Sequence, residues 1–499
     1  MALTLPKEFE DLLRDSLPDY AADAFLSSAD SSAAVSVRLN PLKQVSRLEV
    51  LDEEGAAIHP VEWCGDAFFL PIRAAFTLDP AFHAGAYYVQ DSSSMFLSII
   101  KDHILKAVGG NGGAVLDLCA SPGGKSTHLI SIMNTSAGSE LPLIVCNEVV
   151  GKRVPPLCDN IAKWGAPNVL VTNTSASDLG SFEGFFDVIL ADVPCSGEGM
   201  FRKSSDAVGG WSRKNVEECA RLQRSIISDV WPALREGGLL IYSTCTYNHF
   251  ENQDNVKFIA EELGADYIPL DKEISSAMKS TGDVLVRLER GYQFVPGLVP
   301  GEGQFFAMLR KNASQSGRKG KFKTGARNKS RTKARFRELE GKLELNGRFG
   351  AQEASFRFVM DNLKGEVYFL PGLSHFDFGS AMGFANSLSG VKSFGCRMGE
   401  VKVGKLIPDA DLALSSVLKN AEQVSVHGPG GLSLSFSCTE VDRQTALKFL
   451  GRENITPRPD WPQGYILLEY QGLGLGFVKN LGNRCNNLHP LMRRIINVR

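Results

Sequence analysis

Between about residues 83 and 311 the apolar residues gather in short unbroken runs: Ala114–Leu118, Leu143–Cys146, Val169–Val171, Val188–Ala191 and Leu239–Tyr242. Runs of this length read as strands covered on both faces. Their alternation with helical stretches predicts βαβ units and an α/β, doubly wound parallel sheet. Ahead of them, Phe9, Leu12, Leu13 and Leu17 mark an amphipathic helix. Alternation through Val35, Val37 and Leu39 predicts a strand ended by Asn40-Pro41, which leaves Arg38 and Lys43 on a polar side. Those two charges fit either a solvated face or a phosphate contact. From 338 to 499, short strands and glycine-rich turns (Leu432–Phe436, Gly464–Leu468, Leu475–Lys479) predict a separate unit, with Arg484, Arg493 and Arg494 giving its end a positive edge.

The ends of the strands carry the chemistry, because open parallel sheets bind ligands beyond the carboxyl ends of their strands. The run at 188–191 stops at Asp192-Val193-Pro194-Cys195 and turns through Ser196-Gly197-Glu198-Gly199, so Cys195 lies in a loop and reads as a functional thiol rather than a small core residue. The run at 239–242 leads to Ser243-Thr244-Cys245-Thr246-Tyr247-Asn248, and Asn248 with Glu251 resembles a capping box that opens a helix through Val256 and Ile259. That puts Cys245 in a strand-to-helix turn beside the Cys195 loop. The first run opens into Cys119-Ala120-Ser121-Pro122-Gly123-Gly124-Lys125, followed by a helical stretch over His128–Met133. A glycine turn there lets backbone approach a nucleotide-like ligand, although the first glycine of a phosphate-binding loop is missing. The second run ends at Glu148, which suits either a helix cap or a ribose hydroxyl pair. An acid for the ribose without a phosphate lysine favours S-adenosylmethionine over ATP.

Composition narrows the picture. The chain has 499 residues, 43% hydrophobic and 22% charged, with a formal net charge of −2, which is ordinary for a globular protein of about three domains. No apolar run reaches membrane-spanning length, and the N-terminus lacks the pattern of a secretory leader, so a cytoplasmic location and no membrane partner are expected. Ten cysteines form no C-x-x-C pair and no cluster at metal-ligand spacing, so no metal is expected. The small net charge hides an asymmetry: twelve Lys or Arg and no acid lie between Arg310 and Arg337. Ser314–Lys333 within that stretch reads as a basic linker, either a solvated tether or an arm for nucleic acid.

Several segments together resemble the RNA cytosine-5 methyltransferases of the Nop/Sun group, in particular the bacterial branch with a C-terminal PUA-like module that acts on small-subunit ribosomal RNA. They are Arg38–Lys43, Tyr87–Met95, Cys119–Lys125, Asp192–Arg202 and Ser243–Tyr247, and, more weakly, Gly474–Lys479 and His489–Arg493. The resemblance implies a class I methyltransferase with a Rossmann-like doubly wound sheet, a small N-terminal RNA-binding domain (1–82), a catalytic domain (83–311), a basic linker (312–337) and an α+β PUA-like region (338–499). It makes Cys245 the nucleophile and Cys195 the aid to product release. It sets Cys119, Ala120, Ser121, Pro122, Gly123, Gly124, Lys125, Glu148 and Asp192 around S-adenosylmethionine, with Asp192 also facing the base and Lys125 orienting it. It gives RNA-facing roles to Arg38, Asn40, Lys43 and Arg202 in a monomer. Two residues depart harmlessly, Ser121 and Val193. Where an adenine-binding Asp is expected, the third run ends in Asn173-Thr174-Ser175, leaving Asn173, Ser175 or Asp178 for that contact. The substrate expected is ribosomal RNA, with transfer RNA as the alternative. A silent RNA-binding assembly factor has no need of two loop thiols, and a DNA cytosine methyltransferase would use Cys195 as its nucleophile.

Overall fold

The computed structural model describes residues 4–44, 58–109, 113–136, 141–279, 285–313, 334–347, 350–352, 356–371, 378–419, 421–428 and 432–496. The linker Ser314–Lys333 lies outside them. All five apolar runs are strands of one sheet: β2 (Ala114–Asp117), β3 (Leu143–Asn147), β4 (Val169–Thr172), β5 (Phe186–Asp192) and β6 (Leu234–Thr244), with β1 (Val35–Leu39) in the N-terminal region. They pair in parallel in the order β4-β3-β2-β5-β6, and β7 (Gln304–Lys311) closes antiparallel on β6. Every residue of β2, β3 and β4 is buried, the reason their sequence is continuously apolar rather than alternating. The helix after β2 starts at the glycines themselves, Gly124–Ser136, earlier than the apolar stretch suggests. The one after Asn248 starts later, at Gln253, although the Glu251 backbone N–H does donate to Asn248 Oδ1 at 3.0 Å.

Two N-terminal helices, α1 (Lys7–Ser16) and α2 (Asp19–Ser28), pack against the loops that follow β5 and β6. Phe9 packs edge-on against Phe201 and Trp211, with centroids 4.9 and 5.6 Å away, and Phe25 lies 4.8 Å from Tyr247.

Residues 338–499 are not the separate unit that their sequence suggests. They build a five-stranded and a seven-stranded sheet, and β8 (Val391–Phe394) leaves both to pair antiparallel with β4, extending the central sheet. The seven-stranded sheet also shares a core with the N-terminal region, where Val37, Leu70, Phe76 and Tyr87 join Phe449, Leu450, Trp461 and Ile466. The edge strand Val391–Phe394 caps β4, whose outer backbone groups would otherwise be unpaired.

This packing corrects the RNA-facing reading of the N-terminal residues. The β1 strand is covered on both sides, and Arg38 is 1% exposed, donating to Gln90 Oε1 (2.8 Å), Thr127 Oγ1 (2.6 Å) and Ser131 Oγ (3.2 Å) above the Trp164 ring. The buried Asn40 amide donates to the carbonyls of Gly85 and Trp164, and the buried Lys43 ammonium to those of Ala84 and Lys163. Lys163 and Trp164 end α3 (Val154–Trp164), so these donors satisfy a helix C-terminus that attracts positive charge. Burial pulls the Lys43 ammonium down to about 7. Arg202 is likewise turned inward, donating to the carbonyls of Ser31, Ser32 and Gly301.

Candidate active site

Parallel neighbours β5 and β6 end side by side, with Asp192 in register with Ser243. The chain that follows each strand carries one cysteine, and the two sulfurs meet at 3.1 Å although 50 residues separate them. The loops are stitched at their backs. The Gly199 N–H donates to the Cys245 carbonyl at 2.7 Å, and a Cβ on Gly199 would meet that oxygen at 2.6 Å, so only glycine allows the approach. Glu198, 1% exposed, accepts from the Tyr247 N–H (2.8 Å), Asn248 Nδ2 (2.9 Å), Trp211 Nε1 (3.0 Å) and the Thr246 hydroxyl. Glu251 accepts from the Ser196 N–H at 3.0 Å and Gln223 Nε2 at 2.7 Å; burial, with Glu198 close by, pushes its carboxyl up to about 7. These two buried acids hold the Cys195 and Cys245 loops together. Glu251 shows in the sequence only as the capping-box partner of Asn248, and Glu198 only as a Glu in its turn.

The Cys195 thiol is pushed well up, first by its contact with Cys245 and then by burial. Cys195 therefore keeps its proton at neutral pH, and the Cys245 sulfur faces an S–H.

In front of the sulfurs, Asp192 Oδ1 accepts from Ser243 Oγ (2.7 Å) and Gln304 Nε2 (3.2 Å), and Oδ2 accepts from Lys125 Nζ (3.0 Å). Lys125 comes from the Cys119–Lys125 turn, as the sequence reading has it, whereas Gln304 was missed. It starts a strand far along the chain and belongs to no motif.

The turn after β2 is held from below. Ser121 Oγ donates to the Arg153 carbonyl at 2.7 Å, Arg153 donates back to the Ser121 carbonyl at 2.7 Å, and Asn160 donates to the Pro122 carbonyl at 2.8 Å. Cys119 sits half-buried in that turn, its thiol pushed up by burial. Asp117, at the end of β2, is fully buried; Ser126 Oγ donates to its Oδ2 at 2.6 Å, its Oδ1 has no hydrogen-bond partner among the described residues, and burial raises it to about 7. Glu148 is 2% exposed, and its Oε1 accepts from the Val150 N–H at 2.8 Å, so it does cap its own turn. Among the described residues its Oε2 has no hydrogen-bond partner, and it pairs with Arg153 Nε at 3.5 Å. A buried acceptor held only by a long ion pair gains from a ligand hydroxyl, so this acid fits a ribose. Asn173 donates to the carbonyls of Glu148 (2.7 Å) and Val149 (2.9 Å), while Ser175 donates to Asp178 Oδ2 at 2.8 Å. A separate cleft of about 710 Å³, lined by Trp63, Cys64, Ser98 and His128, includes none of these groups.

With this geometry in hand, the comparisons with known proteins agree across the chain. Residues 104–310 match the family described as 16S rRNA methyltransferase RsmB/F, residues 5–92 the N-terminal domain of 16S rRNA methyltransferase RsmF, and residues 436–495 the methyltransferase RsmF PUA domain. Ribosomal RNA small subunit methyltransferase F of Aliivibrio salmonicida is 32% identical over 68% of this chain and 72% of that protein. The protein so named in Aliivibrio fischeri is 28% identical over 97% of both chains. The chain belongs to the ribosomal RNA small subunit methyltransferase F family. A further relative bearing that name, from Pectobacterium atrosepticum, aligns at 32% identity over 62% of this chain and 63% of its own length. Among solved structures, the crystal structure of PH0851 superposes with a TM-score of 0.52 at 24% identity, covering 62% of this chain and 66% of that one. That likeness is one of fold, a Rossmann-like methyltransferase sheet, which the family's N-terminal and PUA domains flank here.

Proposed function

We propose that this chain methylates carbon 5 of a cytosine in small-subunit ribosomal RNA, using S-adenosylmethionine. The observation that carries the proposal is the 3.1 Å contact of the Cys195 and Cys245 sulfurs, directly beside an Asp192–Lys125 pair. When bound, S-adenosylmethionine supplies an electrophilic methyl group on a sulfonium. Oε2 of Glu148, which faces Arg153 Nε at 3.5 Å, would accept from its ribose, and the Cys119–Lys125 turn would lie along it. Asn173, bonded to the Glu148 turn, is assigned the adenine edge in place of Ser175 or Asp178.

Carbon 5 of cytosine is a weak nucleophile until a thiolate adds to carbon 6. Cys245 forms that bond, and the displaced electron pair makes carbon 5 nucleophilic. Asp192 accepts a hydrogen from the N3/N4 edge of the base while Lys125 holds its other side. After transfer, a water molecule takes the carbon-5 proton, the C5–C6 double bond re-forms, and the Cys245 sulfur leaves with its electron pair. Cys195, in contact with that sulfur, donates its S–H proton to the departing thiolate and is reprotonated from solvent. A base inside a helix does not reach this cleft, so the target leaves its stack.

The test uses unmodified small-subunit RNA, naked and in assembled subunits, with methyl-labelled S-adenosylmethionine. The expected product is 5-methylcytidine in a nucleoside digest, mapped by bisulfite sequencing. RNA bound without transfer would favour the silent assembly factor, and labelling of transfer RNA instead would move the substrate.

A further inference from the structure

Gln304 closes a ring with the two charged residues in front of the sulfurs. Its Oε1 accepts from Lys125 Nζ at 3.1 Å, its Nε2 donates to Asp192 Oδ1 at 3.2 Å and to the Thr244 carbonyl at 2.7 Å, and Lys125 Nζ donates to Asp192 Oδ2 at 3.0 Å. Gln304 is 3% exposed. Its amide has one possible orientation, since an ammonium only donates and a backbone carbonyl only accepts. Among side chains of this length, only an amide accepts from Lys125 while donating to Asp192. A carboxylate in its place would face both Asp192 and the Thr244 carbonyl without a proton to share.

The ring has a directional consequence. With Ser243 Oγ also donating at 2.7 Å, Asp192 Oδ1 receives two hydrogen bonds, while Oδ2 receives one from Lys125. A carboxylate oxygen accepts two, so the unused lone pair belongs to Oδ2. The Asp192 side chain is 30% exposed, so its remaining acceptor capacity is within reach of a ligand. We infer that Gln304 is a positioning residue: it fixes the rotation of the Asp192 carboxylate, and thereby which oxygen meets the target base. An oxygen so held accepts only. It suits a base edge with an amino group and opposes one with a carbonyl at the same place, favouring cytosine over uracil. Anchoring through the Thr244 carbonyl ties this alignment to the residue preceding Cys245, so the acceptor and the attacking sulfur share one support. The inference rests on the activity proposed above.

The experiment compares wild-type chain with Gln304→Glu and Gln304→Leu in the methylation assay described, from pH 6 to pH 8.5. At pH 8, Gln304→Glu is expected to lose about 100-fold in kcat, the scale of one lost active-site donor, with KM for RNA and for S-adenosylmethionine within about threefold of wild type. On acidification the carboxyl introduced by Gln304→Glu takes up a proton and regains a donor, so the variant's kcat relative to wild type rises toward pH 6. Gln304→Leu shows the loss without the recovery. Equal pH profiles for Gln304→Glu and wild type, or a loss lying in KM alone, overturn the inference and leave the activity intact. Should Gln304→Leu not fold, Gln304→Glu decides alone, because it keeps the size and shape of the side chain and replaces only the amide NH2 by an oxygen. Absence of 5-methylcytidine with the wild-type chain overturns the activity and this inference together.

Discussion

Two clusters of hydrogen-bonded polar side chains, one around the N-terminal strand β1 and one at the ends of β5 and β6 in the central sheet, put similar donors to opposite ends. Around Arg38, Asn40 and Lys43, the donors end on backbone carbonyls and hydroxyls: Lys43 on Ala84 and Lys163, Asn40 on Gly85 and Trp164, Arg38 on Thr127 and Ser131. Around Asp192, three donors converge but leave acceptor capacity on Oδ2 unused, and two sulfurs lie in contact in the loops that follow the same strands. A cationic or amide side chain in a sequence motif therefore does not mark a ligand site by itself. What separates the clusters is whether any bonding capacity is left over.

That contrast can be broken by mutation, and the largest effect belongs to the second cluster. Cys245→Ala should abolish methyl transfer, with activity at or below the detection limit, while its melting temperature stays within about 2 °C of wild type. In the first cluster the balance reverses. Lys43→Met and Asn40→Ala each strand two buried carbonyls at or near the α3 C-terminus and should cost about 2–4 kcal/mol in chemical denaturation. Under conditions where they fold, they should bind RNA with an unchanged salt slope. A flattened slope would return these residues to the RNA interface.

Much of the central fold was legible because β2, β3 and β4 are buried on both faces and have no polar positions to interrupt them. The chemistry was legible where function concentrates residues in one loop, as at Cys119–Lys125, Asp192–Cys195 and Thr244–Cys245. The C-terminal strand Val391–Phe394 was not, because four residues on a sheet edge carry no periodicity, and their partner β4 lies more than 200 residues earlier. Arg38 and Lys43 misled for a physical reason: alternation assigns a strand one wet face, and β1 has none, being enclosed between the N-terminal region and the Gly124–Ser136 helix. Gln304 and Glu198 went unread because an amide or an acid gains its meaning only from the groups across the cleft.

A middle-sized effect concerns protonation. Burial raises Asp117 and Glu251 to about 7, well above ordinary carboxylates, so both hold protons in the folded chain at pH 6 that the unfolded chain has released. Each therefore contributes stability that is fully present below its ordinary value near 4 and is lost as pH rises through 7. Infrared spectra should show protonated-carboxyl bands that disappear with a midpoint near pH 7. Absence of such bands at pH 6 would mean that the donors around Glu251 outweigh its burial.

The smallest effect expected is that of the linker. Deleting Ser314–Lys333 removes eight of the twelve basic residues between Arg310 and Arg337, and it should weaken RNA binding and flatten its salt dependence without changing kcat. An unchanged slope would make the segment a tether.

The division of labour between the two sulfurs is tested most directly by trapping. Cys195→Ala and Cys245→Ala chains are incubated with RNA and S-adenosylmethionine and resolved under denaturing conditions, where only a covalent protein–RNA adduct survives. The expected result is an adduct that accumulates with Cys195→Ala, because release fails, and none with Cys245→Ala. An adduct with Cys245→Ala, lost in Cys195→Ala, would make Cys195 the nucleophile and contradict the mechanism.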